Sequence, residues 1–248
     1  MPRIRLDQAM LRLGLAATRS QAGDYIKLGY VKIADRVVYN PDSLVPSKAK
    51  ISISIADQYV SRGGNKLASV AGTLSVSFKD AVVLDVGSSA GGFTDYALKQ
   101  GARQVFAVDA GTNQLHPRLQ HDSRVSLSER TDIRDVKSLP SVPDIILIDV
   151  SFISLREVLP HIRKLCGLKT AVLALVKPQF EATDDNLKHE GIIKNARIRR
   201  DILKEFEQWV RHYYVIAGKA DSGIPGAKGN LERFYLLKCR RKATGPIS

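Results

Sequence analysis

Four polar residues stand where apolar segments begin or end: Lys66, Asp149, Lys177 and Glu232. The stretch AVLALVKPQFEAT, residues 171–183, is an apolar run that stops on Lys177 with Pro178 directly behind it. Asp149 closes the run PDIILID, and Glu232 opens the run ERFYLLKCR. Two lysines and two carboxylates can divide a proton-transfer task. One amine takes the proton of a weakly acidic hydroxyl, burial and a second amine favour its neutral form, and the carboxylates hold both amines in orientation. An ordinary lysine is protonated at neutral pH, so Lys177 needs such neighbours to act as a base. Taken singly, each residue is also an ordinary solvated strand end. The chemistry requires that the fold bring the four to one edge.

The elements that would do so are legible from residue 81 onward. AVVLDVG (81–87), QVFAVDA (104–110), PDIILIDV (143–150) and TAVLALVKP (170–178) are near-continuous apolar runs, as strands buried on both faces should be. Helical patterns lie between or after them at 91–100, with Gly101 as a stop, at 154–166 and at about 196–212. This alternation predicts an α/β sheet of Rossmann-like kind. The last two runs, 212–220 and 232–240, are joined by a Gly/Pro-rich loop and should pair antiparallel. Ligands of open α/β sheets sit outside the carboxyl ends of the strands. A final strand running backwards places Glu232 at that same edge. Lys66 lies on a helix expected to begin near Asn65, ahead of the first strand.

The first strand runs into DVGSSAGGFTDYAL, where Gly87, Gly91 and Gly92 allow a tight turn and close approach of backbone to a ligand. The spacing is G-x-x-x-G-G and not the G-x-G-x-x-G of pyrophosphate binders. An acid at the strand end, Asp85, suits a cationic cofactor such as S-adenosylmethionine, with its sulfonium and ammonium groups. Asp85, Gly87, Ser88, Gly91, Gly92 and Phe93 form the expected cradle. Asp109, at the end of the next strand, would take ribose hydroxyls, and Asp132 would face the adenine. Dinucleotide binding is the rival reading. With a sulfonium methyl in place, the four polar residues suit attack by a ribose 2′-hydroxyl in line with the departing sulfur.

The chain's 248 residues carry a formal charge of +13, which points to a polyanionic partner, nucleic acid first and an anionic membrane surface second. Residues 1–50 hold nine Lys/Arg against four Asp. Leu6, Ala9, Met10 and Leu13 recur at helical spacing before Gly14. A second helix capped by Thr18 or Ser20 runs through Ile26 and Leu28 to Gly29. Two short strands around Ala34-Asp35-Arg36 and a third at 50–55 follow. Such a small module presents a surface, and Arg3, Arg5, Arg19, Lys27 and Lys32 are its expected phosphate contacts, joined further along by Arg62 and Lys228. Phe152, Phe180 and Trp209 are read as packing, with base stacking the second reading for the two phenylalanines. Apolar runs fall short of the roughly 18–20 residues that span a bilayer, and the start has no secretory h-region. Cys166 and Cys239 fit no metal or redox spacing, and the histidines make no ligand pattern; a reduced cytoplasm is the expected compartment.

Arg5-Leu6-Asp7, Arg19-Ser20-Gln21-Ala22 and Gly29-Tyr30-Val31-Lys32-Ile33-Ala34-Asp35 resemble the small α+β RNA-binding domain named after ribosomal protein S4. YVSRGGNKL, LDVGSSAGGFTDYAL, DIILIDVSFISL, LVKPQFEA, GIIKN and IPGAKGNLE resemble the TlyA family, in which such a domain precedes an FtsJ/RrmJ-like methyltransferase. The resemblance implies an S4-like domain at 1–57, a linker at 58–64 and, at 65–248, a class I methyltransferase sheet with an antiparallel last strand. It also implies S-adenosylmethionine-dependent 2′-O-methylation of cytidine in ribosomal RNA, free or in subunits, with the family's Lys-Asp-Lys-Glu tetrad on Lys66, Asp149, Lys177 and Glu232. Asn65 stands where Leu is common, and Asp132-Ile133 replaces a more usual Asn. Family members are often labelled haemolysin. A cell-lysing, membrane-active haemolysin and a catalytically silent rRNA-binding protein are the alternatives; the main reading expects no stable membrane insertion.

Overall fold

The computed structural model describes residues 3–16, 18–27, 30–34, 36–53, 59–182, 191–193, 195–226 and 229–240, without the side chains of Asp24, Lys27 and Val37. The chain divides into two compact units, Met1–Gln58 and Tyr59–Ser248.

The first unit holds β1 (Arg3–Arg5), α1 (Leu6–Arg12), α2 (Arg19–Lys27), β2 (Val31–Ile33), β3 (Arg36–Val37), β4 (Leu44–Pro46) and β5 (Ile51–Ile53). Leu6, Ala9 and Met10 of α1 pack with Ala22 and Ile26 of α2, Val31 and Val45. Leu13 falls past the helix and stays exposed, and Gly14 turns the chain at φ 66°. Thr18 caps α2, its Oγ1 accepting from the Gln21 amide at 3.1 Å. The expected strands form the sheet β3-β2-β5, with Ala34 in the turn at φ 46°. The ribbon of β1 with β4 is an addition to the strands expected from the sequence.

Asp7 is buried and gathers the basic residues of this unit. Its carboxylate accepts from Arg5 Nε at 3.1 Å and Nη2 at 2.9 Å, from Arg19 Nε at 2.8 Å and from the Gln8 amide at 2.8 Å. Hydrogen bonds from Arg5 and Arg19 outweigh burial and bring the Asp7 carboxyl down to about 2. Arg5 also pairs with Asp42. Arg5 and Arg19, expected as phosphate contacts, also clamp β1, α1 and α2 together through Asp7. Arg3 is exposed and Lys32 half-buried, while the Lys27 side chain lies outside the described residues.

The second unit is a seven-stranded sheet with helices on both faces. Its elements are α3 (Arg62–Ala71), β6 (Val82–Val86), α4 (Gly92–Lys99), β7 (Gln104–Val108), α5 (Pro117–Gln120), β8 (Val125–Ser128), β9 (Ile145–Ile148), α6 (Leu155–Leu165), β10 (Ala171–Val176), α7 (Pro178–Glu181), α8 (Ala196–Val210), β11 (Tyr214–Asp221) and β12 (Arg233–Cys239). The strand order is β11-β12-β10-β9-β6-β7-β8, and β12 alone runs antiparallel to its neighbours β10 and β11. The expected hairpin is thus present, with β12 inserted between β10 and β11. Alternate side chains feed two cores. Val83, Leu147, Leu173 and Leu175 meet α3 and α4, while Leu84, Ile146, Val172 and Ala174 meet α6 and α8.

Two differences from the sequence reading have physical causes. The edge strand β8 packs on one side only, and its Ser126, Leu127 and Ser128 are exposed, so it lacks the apolar run of its neighbours. Helix α3 starts at Arg62 and not near Asn65. Gly63 and Gly64, which read as loop, lie in its first turn, where a Cβ on Gly64 would strike Tyr59.

Candidate active site

The carboxyl edge of the sheet collects the four residues in two ion pairs. Lys177 follows β10, and its Nζ lies 2.7 Å from Asp149 Oδ1 and donates to Ser151 Oγ at 2.7 Å. Lys66, in the second turn of α3, donates from Nζ to Glu232 Oε2 at 2.6 Å. Lys66, Lys177 and Glu232 are 6%, 9% and 2% exposed, so neither pair is a solvated surface bridge. The pairs also sense one another. Burial pushes the Asp149 carboxyl up, but the charges of Lys177, Lys66 and Arg62 outweigh it and leave the group below its ordinary value. Arg62, expected along the RNA path, therefore bears electrostatically on Asp149. Lys228 lies outside the described residues.

Several residues unnoticed in the sequence hold this cluster. Glu181 of α7 is buried and accepts from the Leu155 amide and the Ser154 hydroxyl, both at 2.7 Å, which ties the turn after Lys177 to the start of α6. Burial pushes its carboxyl up against those bonds. Asn230 is buried and joins the loop before Glu232 to another segment, accepting from the Ile193 amide at 2.8 Å and donating to the Gly191 carbonyl at 2.6 Å. Gly226 in that loop backs directly onto Glu232, since a Cβ there would strike Oε1. A buried Glu or Asn in a loop gives no periodic signal, so only the fold reveals these partners.

At the neighbouring strand ends the cofactor candidates separate into two groups. Asp85 is wholly buried. Its Oδ2 accepts from Thr94 Oγ1 at 2.6 Å, whereas its Oδ1 is buried without a hydrogen-bond partner, as is the Ser88 hydroxyl. Burial, only partly countered by the Thr94 bond, raises the Asp85 carboxyl to about 7, with Asp149 and Asp109 adding to the rise. Asp109 takes the Ser89 amide at 2.7 Å and the Gly111 amide at 2.6 Å, which pins the turns after β6 and β7 together. Gly87 has φ 78°, and a Cβ on it would lie 2.7 Å from the Asp149 carbonyl oxygen. The orphaned Asp85 oxygen, the unpartnered Ser88 hydroxyl and the acids at two strand ends fit a cationic ligand of the S-adenosylmethionine type.

The other candidates are employed differently. Gly91 has φ 89° and makes room for Leu119, while a Cβ on Gly92 would strike Ser61 and come within 2.7 Å of the Gly64 nitrogen. Gly92 thus serves the contact of α4 with α3. Phe93 is in the core, its ring 5.9 Å from that of Phe234. Asp132 caps a short 3-10 turn and is bound by Arg134 through Nε at 3.0 Å and Nη2 at 2.7 Å, bonds that lower its carboxyl. Phe152 departs most from the packing reading. It is 92% exposed with φ 65°, and its ring lies 5.3 Å from that of half-buried Phe180. Trp209 does pack, against Phe206 and Tyr213.

A parallel sheet closed by one reversed strand, with acids and paired lysines along its carboxyl edge, is the architecture of a Rossmann-like methyltransferase. The FtsJ-like methyltransferase family model matches residues 59–240, and the S4 domain model matches residues 4–51. The 16S/23S rRNA (cytidine-2′-O)-methyltransferase TlyA of Mycobacterium tuberculosis is 32% identical over 241 residues, covering 95% of this chain and 90% of that one. Hemolysin A of Brachyspira hyodysenteriae is 34% identical over 233 residues, covering 92% and 97% respectively. A solved structure from Streptococcus thermophilus that also carries a hemolysin name aligns with TM-score 0.77 and 34% identity, over 98% of this chain and 90% of that one. The chain belongs to the TlyA family. Among the described residues no helix is long and apolar enough to cross a membrane, and no group of His, Cys, Asp and Glu could hold a metal ion.

Proposed function

We propose that this protein methylates the 2′-hydroxyl of a cytidine ribose in ribosomal RNA, using S-adenosylmethionine, in the cytoplasm where ribosomes are made. The observation that carries the reading is the pair of lysine–carboxylate contacts, one buried and one part-buried, at the sheet's carboxyl edge. When bound, S-adenosylmethionine supplies an electrophilic methyl group; Asp85, Asp109 and the turn at Gly87 and Ser88 would hold it. Lys177 Nζ, in its neutral form, accepts the proton of the 2′-hydroxyl. The ammonium so formed is met by Asp149, 2.7 Å away, and steadied by Ser151. Lys66, fixed by Glu232, sets a second cation beside Asp149 and helps to hold that carboxylate ionised. Exposed Phe152 offers a face for the base of an extruded nucleotide. The N-terminal unit grips structured RNA by shape and phosphate, with Arg3 and Lys32 as its freest described cations among those expected.

The test is incubation of the full chain with S-adenosylmethionine bearing a labelled methyl group and unmodified ribosomal subunits, wild type beside Lys177→Ala. Label recovered as 2′-O-methylcytidine should fall by roughly 10²–10⁴-fold in the variant, the usual contribution of a general base. Cofactor binding should be retained. An unchanged rate in Lys177→Ala would remove the base role. The hemolysin name of two relatives is addressed by vesicle leakage, where the expected result is none at concentrations that methylate fully. Leakage that survives the tetrad substitutions would favour the membrane reading.

A further inference from the structure

The edge of the sheet opposite the active site has a hollow of its own. Because β12 starts at the active edge with Glu232 and runs backwards, its end lies at the far edge, where Lys238 pairs with Ala171, the first residue of β10. There the end of β12 and the end of α6 enclose a cavity of about 440 Å³, lined by Arg163, Lys164 and Arg240 among others. Among the described residues no Asp or Glu lines it. Lys164 and Arg240 are exposed and Arg163 is half-buried. Arg163 spans the seam, donating from Nη2 to the Arg240 carbonyl at 3.5 Å. Exposed Lys169 and Lys238 adjoin the lining residues Leu168 and Cys239 in the chain.

Cations at the end of a helix have a simpler use, and it does not account for these. Arg163 and Lys164 stand in the last turn of α6, where the helix terminus carries roughly half a negative charge that one cation more than offsets. Three cations around one hollow leave a surplus of about two positive charges. Elsewhere in this unit surface cations meet carboxylates: Arg118 pairs with Asp95, Arg124 with Asp122, Arg134 with Asp132, Lys219 with Glu207 and Arg233 with Asp221. Among the described residues Arg163, Lys164 and Arg240 have no carboxylate within ion-pair distance. Uncompensated like charges repel one another, and an anion in the hollow relieves that repulsion.

We propose that this hollow binds the sugar–phosphate backbone of the RNA substrate, at a segment other than the one that enters the active site. The inference rests on the ribosomal RNA reading given above. The Arg163 and Arg240 guanidiniums offer forked donors to phosphate oxygens, with Lys164 as a point charge. Leu168, 92% exposed and part of the lining, gives an apolar face for a sugar. The volume lies in the range of ligand sites, roughly 300–1,000 Å³, and the concave shape suits a backbone strand better than the flat face of a bilayer. The seven residues of β12 set the two edges about 20 Å apart, at about 3.3 Å per residue. RNA held at both edges must therefore be folded or long enough to round the domain. Phosphate contacts position a substrate without reading its sequence, so the hollow acts on affinity and leaves the methyl-transfer step alone.

The test measures binding of the full chain to unmodified ribosomal subunits without S-adenosylmethionine, at several salt concentrations. Wild type is compared with Lys164→Glu and with Lys164→Gln combined with Arg240→Gln. Arg163 is kept so that its bond to the Arg240 carbonyl survives, and urea unfolding of each variant checks that the fold is kept. In the double variant Kd should weaken by about tenfold or more, and the slope of log Kd against log salt should become shallower by about one for each cation removed. Lys164→Glu should weaken binding in the same sense. With cofactor added, KM for subunits should rise while kcat stays as in wild type. A short single-stranded oligonucleotide carrying the target cytidine cannot reach both edges and should bind all three proteins alike. Equal weakening on that oligonucleotide would reduce the effect to net charge and overturn the site. Unchanged Kd and salt slope on subunits would overturn the proposal. So would subunit binding that is unchanged while attachment to vesicles of anionic lipid is lost, which would give this face to a bilayer. Because binding is read without cofactor, a wild type that binds subunits but transfers no methyl group would sink the proposed reaction alone.

Discussion

Replacing Asp85 by Asn should flatten one part of the protein's stability–pH profile. The carboxyl is wholly buried, with Oδ2 on Thr94 and Oδ1 unpaired, and burial lifts it from 3.8 to about 7. A carboxyl raised on folding binds its proton more tightly in the native chain. Its contribution is therefore complete below the unfolded value, declines as pH rises towards the folded one and is gone above it. At about 1.4 kcal/mol per unit, the span from 3.8 to about 7 amounts to roughly 4 kcal/mol lost between about pH 4 and pH 8. Asn cannot ionise, and any penalty for its unpaired amide, about 1–3 kcal/mol, is the same at every pH. Urea unfolding of wild type and Asp85→Asn without cofactor, at several pH values across that interval, gives two curves of stability. Their difference should shift by about 4 kcal/mol from the acid to the alkaline end, in favour of the variant at the alkaline end. Parallel curves would show that the native Asp85 is not held protonated.

Three further outcomes follow from the same geometry. Lys66→Ala leaves Glu232 buried without its amine and should cost about 3–5 kcal/mol in urea unfolding, while Lys66→Met combined with Glu232→Gln should recover much of that stability without restoring methyl transfer. Arg5→Gln removes the leading hydrogen bonds to Asp7; because the Asp7 carboxyl is depressed to about 2, its stabilisation is present above its unfolded value and lost as pH falls, so the variant should lose stability in urea unfolding near neutrality but little at pH 2. Phe152→Ala should change stability by less than about 0.5 kcal/mol, since the ring is 92% exposed. It should nonetheless lower RNA methylation about tenfold or more if the ring stacks on a base, read as initial rates on ribosomal RNA.

The sequence made the sheet and the tetrad legible for one reason. Strands buried on both faces must be apolar throughout, so the first polar residue after each run marks the edge where ligands bind, and Asp85, Asp109, Asp149 and Lys177 all stand there. The reversed last strand added Glu232 by direction alone. What stayed hidden depends on partners distant in sequence. Basic residues near the N-terminus look alike whether they meet phosphate or, like Arg5 and Arg19, a buried Asp7. Cys166 and Cys239 fit no spacing rule because the end of a helix and the end of an antiparallel strand bring them to the lining of one cavity. Phe152 looks like core in an apolar stretch, but its left-handed backbone turns it out beside Ser151.

The glycines show the same division at a single turn. A glycine signals conformational freedom when read in sequence, and Gly87 and Gly91 use that freedom, both lying at positive φ. Gly64 and Gly92 have ordinary helical roles and are small because other groups occupy the space: Tyr59 faces Gly64, and Ser61 faces Gly92, with Gly63 packed between them in ordinary contact with Phe93. Those contacts press the first turn of α3 onto the first turn of α4. Lys66 stands one turn further along α3 from Arg62, and Thr94, which holds Asp85, stands two residues into α4. One glycine-lined contact therefore fixes a lysine of the tetrad and the acid of the cofactor turn relative to each other. A side chain added at Gly92 should disturb both the Lys66–Glu232 pair and the Asp85–Thr94 pair, although Gly92 itself need never touch the cofactor.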